Sequence, residues 1–314
     1  MSRTAGSVVV SLDAELAWGL HDRHPLSAAE ERRVGTARRS WSRLVDLFDD
    51  HDVPATWAVV GALLVDPDAE VGADHPLPAS WFDAYRRGVA SRPDEWLGRN
   101  LVEAVATADA DHELASHGFS HAVFTEVSPA VADAECRLAR AVGERHGFEF
   151  SSFVFPRNRI AHREALAANG FRCYRGDRPY RLPPVTGLRG AATLAGALTG
   201  TGAPPLVSPQ VDEHGLVELP ASLFLGGFRG RHWRTVGADP AVRLAKLGIE
   251  RACRDDGVLH LWFHPNDLTD AFYVRRVDAV LSYLAARRDE TALRVETMDQ
   301  VARRTLPDAE AVAP

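Results

Sequence analysis

Six short runs of aliphatic and β-branched residues punctuate the chain, at 7–12, 55–60, 112–116, 152–155, 216–219 and 258–264. Most intervals between them are long enough for a helix. In the clearest intervals the apolar residues recur at helical spacing. Val34, Trp41, Leu44, Val45 and Phe48 share one stripe of 30–50, and Val131, Ala134, Leu138 and Val142 share one of 129–146. Segments 241–255 and 274–288 follow the same pattern. Strands alternating with helices predict βα units around a parallel sheet, either open or closed into a barrel. Two stretches break the alternation: 66–99, rich in Pro, Asp and Trp, and 179–215, rich in Gly, Ala, Pro and Thr. Both are expected to be insertions over one domain of residues 1–305, with 306–314 a frayed tail.

Composition narrows the class. Apolar residues make up 46% and charged residues 25%, the proportions of a globular chain rather than a disordered or fibrous one. No run approaches the ~18 apolar residues of a membrane span. The apolar stretch before Asp13 is too short for a secretory core, so a cytoplasmic protein is expected. The net charge is −7 with the acids scattered, which argues against a nucleic-acid partner. Cys136, Cys173 and Cys253 form no CxxC and suit a reducing compartment better than a disulfide framework or a thiolate zinc site.

Four segments carry chemistry. In 8–15, period-two alternation sends Ser11, Asp13 and Glu15 to one side, placing two carboxylates at the end of an apolar strand. Such a pair is costly unless a metal, an arginine or a proton meets it. His117 and His121 are spaced i, i+4 directly after another apolar run, close enough on a helical turn to hold one ion. His260 and His264 repeat that spacing inside a strand, where it spans about 13 Å and excludes a shared metal. His264 is then a functional candidate at the strand's tip, and His260 a packed, hydrogen-bonded core residue. Arg157 follows Phe153-Val154-Phe155-Pro156 and is placed to orient a carboxylate through its fork of donors. Gly118-Phe119-Ser120-His121-Ala122 lacks the second glycine of a nucleophile elbow. No phosphate-cradling glycine motif is present. All the candidates sit at the C-terminal ends of apolar runs, which in a parallel barrel converge on one mouth.

These segments resemble the polysaccharide deacetylase family, the NodB-homology group of carbohydrate esterases. Ser11-Leu12-Asp13-Ala14-Glu15 looks like its acidic first motif, and 112–121 is close to its second. Phe155-Pro156-Arg157-Asn158 is similar to the arginine-bearing third, and Leu259-His260-Leu261-Trp262-Phe263-His264-Pro265 to the last. The resemblance implies a distorted (β/α) barrel with one divalent ion, usually zinc, although cobalt, nickel or iron also suits such a site. It implies Glu15, His117 and His121 as metal ligands, Asp13 as general base held by Arg157, and His264 as general acid. The two acids could exchange roles, because a Glu stands where the family more often has a second, adjacent Asp. Asp177 is a candidate for the acid that tunes the catalytic histidine. Trp18, Asn158 and Trp262 are expected to contact substrate, and Trp81, Trp96 and the aromatics of 228–233 could stack on sugar rings. The implied activity is hydrolysis of the acetamide of an N-acetylated sugar or glycosylated intermediate. A cyclic-amide hydrolase of the allantoinase type and a metal-free carbohydrate-binding barrel are the alternatives.

Overall fold

The computed structural model describes residues 5–23, 25–177, 202–229 and 239–306. Much of the expected 179–215 insertion, the tail beyond Leu306, and Trp233 lie outside these residues.

The chain begins with strand β1 (Ser7–Ala14), every residue of which is buried. A strand buried on both faces is one that a parallel sheet covers with helices outside and packs on itself inside. Helix α1 (Ala28–Asp50) follows. It opens on a reciprocal cap in which Ser27 and Glu30 satisfy each other's backbone amides, and it buries the predicted stripe Val34, Trp41, Leu44, Val45 and Phe48. The chain continues through β2 (Thr56–Val59), α2 (Asp83–Ser91), α3 (Arg99–Ala106), β3 (Glu113–Ser116) and α4 (Pro129–Arg145). Next come β4 (Ser152–Phe153), α5 (Arg163–Ala168) and β5 (Cys173–Gly176), then β6 (Gln210–Val211), β7 (Val217–Pro220) and β8 (Leu223–Phe224). The last elements are α6 (Pro240–Arg254), β9 (Val258–Phe263), α7 (Ala271–Glu290), β10 (Arg294–Glu296) and α8 (Met298–Thr305).

Among the described residues the strands form one curled sheet in the order β6-β7-β5-β4-β3-β2-β1-β9-β8, with β10 beside the start of β1. Every pairing is parallel except β6 with β7. Val207 exchanges two backbone hydrogen bonds with Val258 and so draws the far edge back toward β9. The result is the distorted barrel that the family resemblance implies.

Alternation divides the side chains between two cores. Val8, Val10, Leu12 and Ala14 face the helices, whereas Val9 joins Ala58, Ala115, Val154, Cys173, Val217 and Val258 in a small apolar cluster inside the barrel. Met298, Val301 and Ala302 of α8 belong to that inner cluster. The inward register that puts Val9 in the plug puts Ser11 and Asp13 higher on the same wall. Stretch 66–99 supplies α2 and short 3-10 turns, and its Phe82, Tyr85 and Trp96 are buried in the outer core.

Candidate active site

The barrel's C-terminal mouth opens into a cavity of about 350 Å³ lined by Asp13, Glu15, His121, Arg157, Asn158, Trp262 and His264, among others. The polar groups just named reach it from strand ends or the loops that follow them.

Asp13 is 2% exposed and carries a buried charge that β5 neutralises. Arg175 donates from Nη1 to Oδ1 at 2.6 Å and from Nη2 to Oδ2 at 2.8 Å, a two-pronged pair. The same guanidinium donates to Ser11 Oγ at 3.1 Å and to Asn158 Oδ1 at 2.9 Å, and it lies 4.4 Å from the centre of the Trp262 ring. Burial pushes the Asp13 pKa up, but Arg175, His264 and His117 overrule it and hold it below the usual value.

The holder of Asp13 is therefore Arg175, and the expectation for Arg157 is corrected. Arg157 and Asn158 both adopt left-handed backbone angles in the turn after β4. That turn aims Arg157 across the mouth onto Asp22, away from Asp13, and places the Asn158 amide on Arg175. Arg175 escapes a motif reading because β5, Cys173-Tyr174-Arg175-Gly176, is not an apolar run. Its signal is nonetheless present: Cys173 and Arg175 alternate inward on one short strand, as Val9, Ser11 and Asp13 do on β1.

Glu15, His117 and His121 are buried together, with one ligand-capable atom from each lying within 4.8 Å of the others. Glu15 Oε2 is 3.6 Å from His117 Nε2 and 3.2 Å from His121 Nε2. Ligand atoms about 2.0–2.1 Å from a tetrahedrally coordinated cation stand about 3.4 Å apart, so these separations fit a shared ion. His117 fits in a second way. Its Nδ1–H donates to Val154 O at 2.7 Å, which leaves buried Nε2 with a free lone pair and no hydrogen-bond partner. Burial favours a neutral Glu15, yet the two histidines facing it, with His264, hold its pKa well below the ordinary value. Burial likewise lowers the His121 pKa, against the pull of Glu15, favouring the neutral imidazole that a cation requires. The carboxylate also needs Gly19, where an added Cβ would overlap it.

The His117–His121 loop is fastened from behind. Glu135 of α4, fully buried, accepts hydrogen bonds from the backbone N–H and the hydroxyl of Ser120, and His75 Nε2 lies 3.0 Å from its Oε1. Trp81 Nε1 donates to Ser120 Oγ at 3.0 Å. Gly118 (φ +77°) turns tightly over Glu135, and His121 is itself left-handed. Ser120 is thus a structural hydroxyl, and Trp81 anchors the loop.

His264 stands opposite, with Nε2 3.6 Å from Asp13 Oδ2. Its Nδ1–H donates to Asp267 Oδ2 at 3.1 Å. Burial would lower its pKa, but Asp267, Glu15 and Asp13 raise it to about 9. Asp267 is held down to about 2: burial opposes ionisation, while His264, Arg229 and Arg33 enforce it. The acid touching His264 is therefore Asp267, three residues downstream, where backbone reversal after Pro265 returns it to the ring. Asp177 is exposed, one residue beyond the end of β5.

Two further expectations separate. His260 is a core residue, as expected: Ser11 Oγ lies 2.8 Å from its Nε2, and burial reinforced by Arg175 lowers its pKa to about 3. Trp18 is fully buried and stacks on Tyr85 at 5.1 Å and edge-on to Trp96 at 5.5 Å, so it packs the 66–99 segment instead of touching the cavity. Trp96 belongs to that same core.

Neither a protein-family model nor a curated protein matches the sequence. Solved structures do match. A protein named as a polysaccharide deacetylase from Mycobacterium smegmatis superposes with a TM-score of 0.61 at 17% identity, over 100% of this chain and 93% of that one. A second protein so named, from Pseudomonas aeruginosa PAO1, gives 0.59 at 14% identity over 96% and 91%. The fold is that of the polysaccharide deacetylases. Puue allantoinase shares it, with a TM-score of 0.56 at 14% identity over 96% and 91% of the two chains. Likeness at this level of identity shows a shared fold, and a fold does not by itself assign a reaction.

Proposed function

We propose that the protein is a metal-dependent N-deacetylase that hydrolyses the acetamide of an N-acetylated sugar or glycosylated intermediate. One observation carries the reading. A carboxylate–histidine–histidine cluster, an arginine-clamped aspartate and an aspartate-backed histidine converge on one cavity.

Glu15, His117 and His121 would hold the ion, with zinc the first expectation. When bound, such an ion polarises the amide carbonyl and acidifies water. Asp13, fixed by Arg175 in one orientation, accepts the proton of the attacking water. His264, protonated at neutral pH because Asp267 backs it, donates a proton to the departing nitrogen as the C–N bond breaks. Acetate and the free amine leave. Asn158 and Arg175 keep the base in place; Trp262 forms part of the wall. The three cysteines are free, in keeping with action in a reducing compartment on a precursor.

The test has two parts. Purified protein is expected to bind one equivalent of divalent metal, lost in His117→Ala, and to release acetate from N-acetylated sugars. Ring opening of cyclic amides without acetate release would transfer the reading to the allantoinase type. Absence of bound metal in the wild type under saturating zinc would remove both.

A further inference from the structure

The charge around His264 does not balance. Asp267 Oδ2 serves His264, while its other oxygen, Oδ1, accepts from Arg33 Nη2 at 3.0 Å and also from Arg229 Nη2. A single carboxylate, 2% exposed, thus answers two guanidinium groups besides the His264 ring. The acids nearby are already committed among the described residues. Asp13 is neutralised by Arg175, Asp22 by Arg157 and Glu30 by Arg23. Glu15 faces the histidines of the cation cluster. The wall formed by Arg33 and Arg229 therefore retains about one positive charge beyond Asp267, in a protein whose net charge is −7.

Both arginines line the cavity, with side chains 24% and 39% exposed. Arg229 is braced by a hydrogen bond from Nε to Gly226 O at 2.8 Å. Asp267 gathers the two guanidinium groups onto one oxygen, and both side chains line the same cavity. A surface arginine needs no such arrangement. Two guanidinium groups converging on one cavity wall match the oxygens of a phosphate or carboxylate.

We infer that the substrate is anionic, bearing a phosphate or carboxylate that Arg33 and Arg229 bind while its acyl nitrogen faces His264. This rests on the deacetylase reading and narrows it from N-acetylated sugars to their phosphorylated or acidic derivatives. The order along the wall, from Arg33 and Arg229 through Asp267 to His264, puts the anion on the leaving-amine side of the scissile bond.

The experiment compares kcat/KM for N-acetylglucosamine, its 1- and 6-phosphates and N-acetylmuramic acid, in the wild type and in Arg33→Gln/Arg229→Gln. The wild type is expected to prefer at least one anionic member over the neutral sugar by about tenfold or more. The double variant is expected to lose most of that ratio. The phosphates and the muramic acid distinguish the two oxyanions. A role confined to supporting Asp267 and His264 would slow all substrates alike and leave the ratio unchanged, which overturns the inference. So does equal use of neutral and anionic sugars by the wild type. A second readout needs no catalysis: inorganic phosphate is titrated into metal-free protein and the melting temperature followed. If no acetate is released from any sugar but phosphate stabilises the wild type and not the double variant, the anion site stands and the deacetylase reading falls. If phosphate stabilises neither and no sugar reacts, both fall.

Discussion

At the scale of single residues, the site is built from charges that would be intolerable alone. Asp13 is the sharpest case. Its carboxylate is buried, and Arg175 makes the pair, so removing only the arginine strands a charge inside the barrel. Arg175→Met is expected to destabilise the protein by about 3–5 kcal/mol and to abolish activity, whereas Arg157→Met, whose pair with Asp22 is partly exposed, costs under about 1 kcal/mol. Urea denaturation of the two variants side by side checks this; equal costs would mean that Arg175 does not hold Asp13. His264 gives the pH signature. Because Asp267 raises its pKa to about 9, the proton needed for the leaving amine is present through neutrality and lost above that value. The alkaline limb of kcat/KM is expected near pH 9, and Asp267→Asn should move it downward, toward the unperturbed 6.5. A limb unmoved by that substitution would assign it to another group. These residues also show what a sequence reveals. Asp13, Glu15, His117, His121 and His264 stand at strand ends within recognisable spacings. Arg175 and Asp267 are defined by what they touch, and that depends on how far the sheet curls.

At the scale of elements, amphipathic helices and strands that lie in apolar runs, β2, β3, β4 and β7 among them, are legible, whereas β5, β6, β8 and β10 are not. The stripe on α1 and the alternation on β1 are repeated signals, and burial follows both. β6 and β8 have two residues each and offer no period to read. Their positions come from the pairing of neighbours. The 66–99 stretch was recognisable only as a break in the pattern. Its contribution is to brace the loop between β3 and α4, with Trp81 on Ser120 and His75 on Glu135. Burial pushes the Glu135 pKa up and the bonds from His75 and Ser120 bring it down, so a charge is kept there to grip two donors of one loop residue. Glu135→Gln can accept with one oxygen only and is expected to loosen the placement of His121. Zinc affinity, measured by calorimetry on the folded variant, should fall by about tenfold or more. Unchanged affinity would show that the loop holds its shape without the anchor.

At the scale of the whole molecule, the barrel buries neutral histidines as well as charges, and this sets how the metal-free protein responds to pH. Burial lowers the pKa of His21 and His112 to about 4 and that of His260 to about 3. In the unfolded chain each titrates near 6.5, so between that value and its folded pKa the unfolded state holds one more proton. Stability from these three is complete above 6.5 and is lost as pH falls, at up to about 1.4 kcal/mol per pH unit for each. His264 has the opposite sign. Its folded pKa is raised, so its contribution is complete below 6.5 and disappears as pH rises through about 9. Asp13, Glu15, Glu135 and Asp267 have lowered values, and their stabilisation fades only below the ordinary carboxylate range. The opposing slopes meet near 6.5. Urea denaturation of chelated protein from pH 5 to 9 is therefore expected to show a maximum close to that pH, with a steeper fall on the acid side, where these three act together with His121, whose pKa burial also lowers, than on the alkaline side. His260→Gln should flatten the acid side by about one proton's worth of slope. A profile level between pH 5 and 7 would mean that these rings are hydrated in the folded protein, and the inner wall joining Ser11, Arg175 and Asp13 would then not be the dry scaffold on which the site depends.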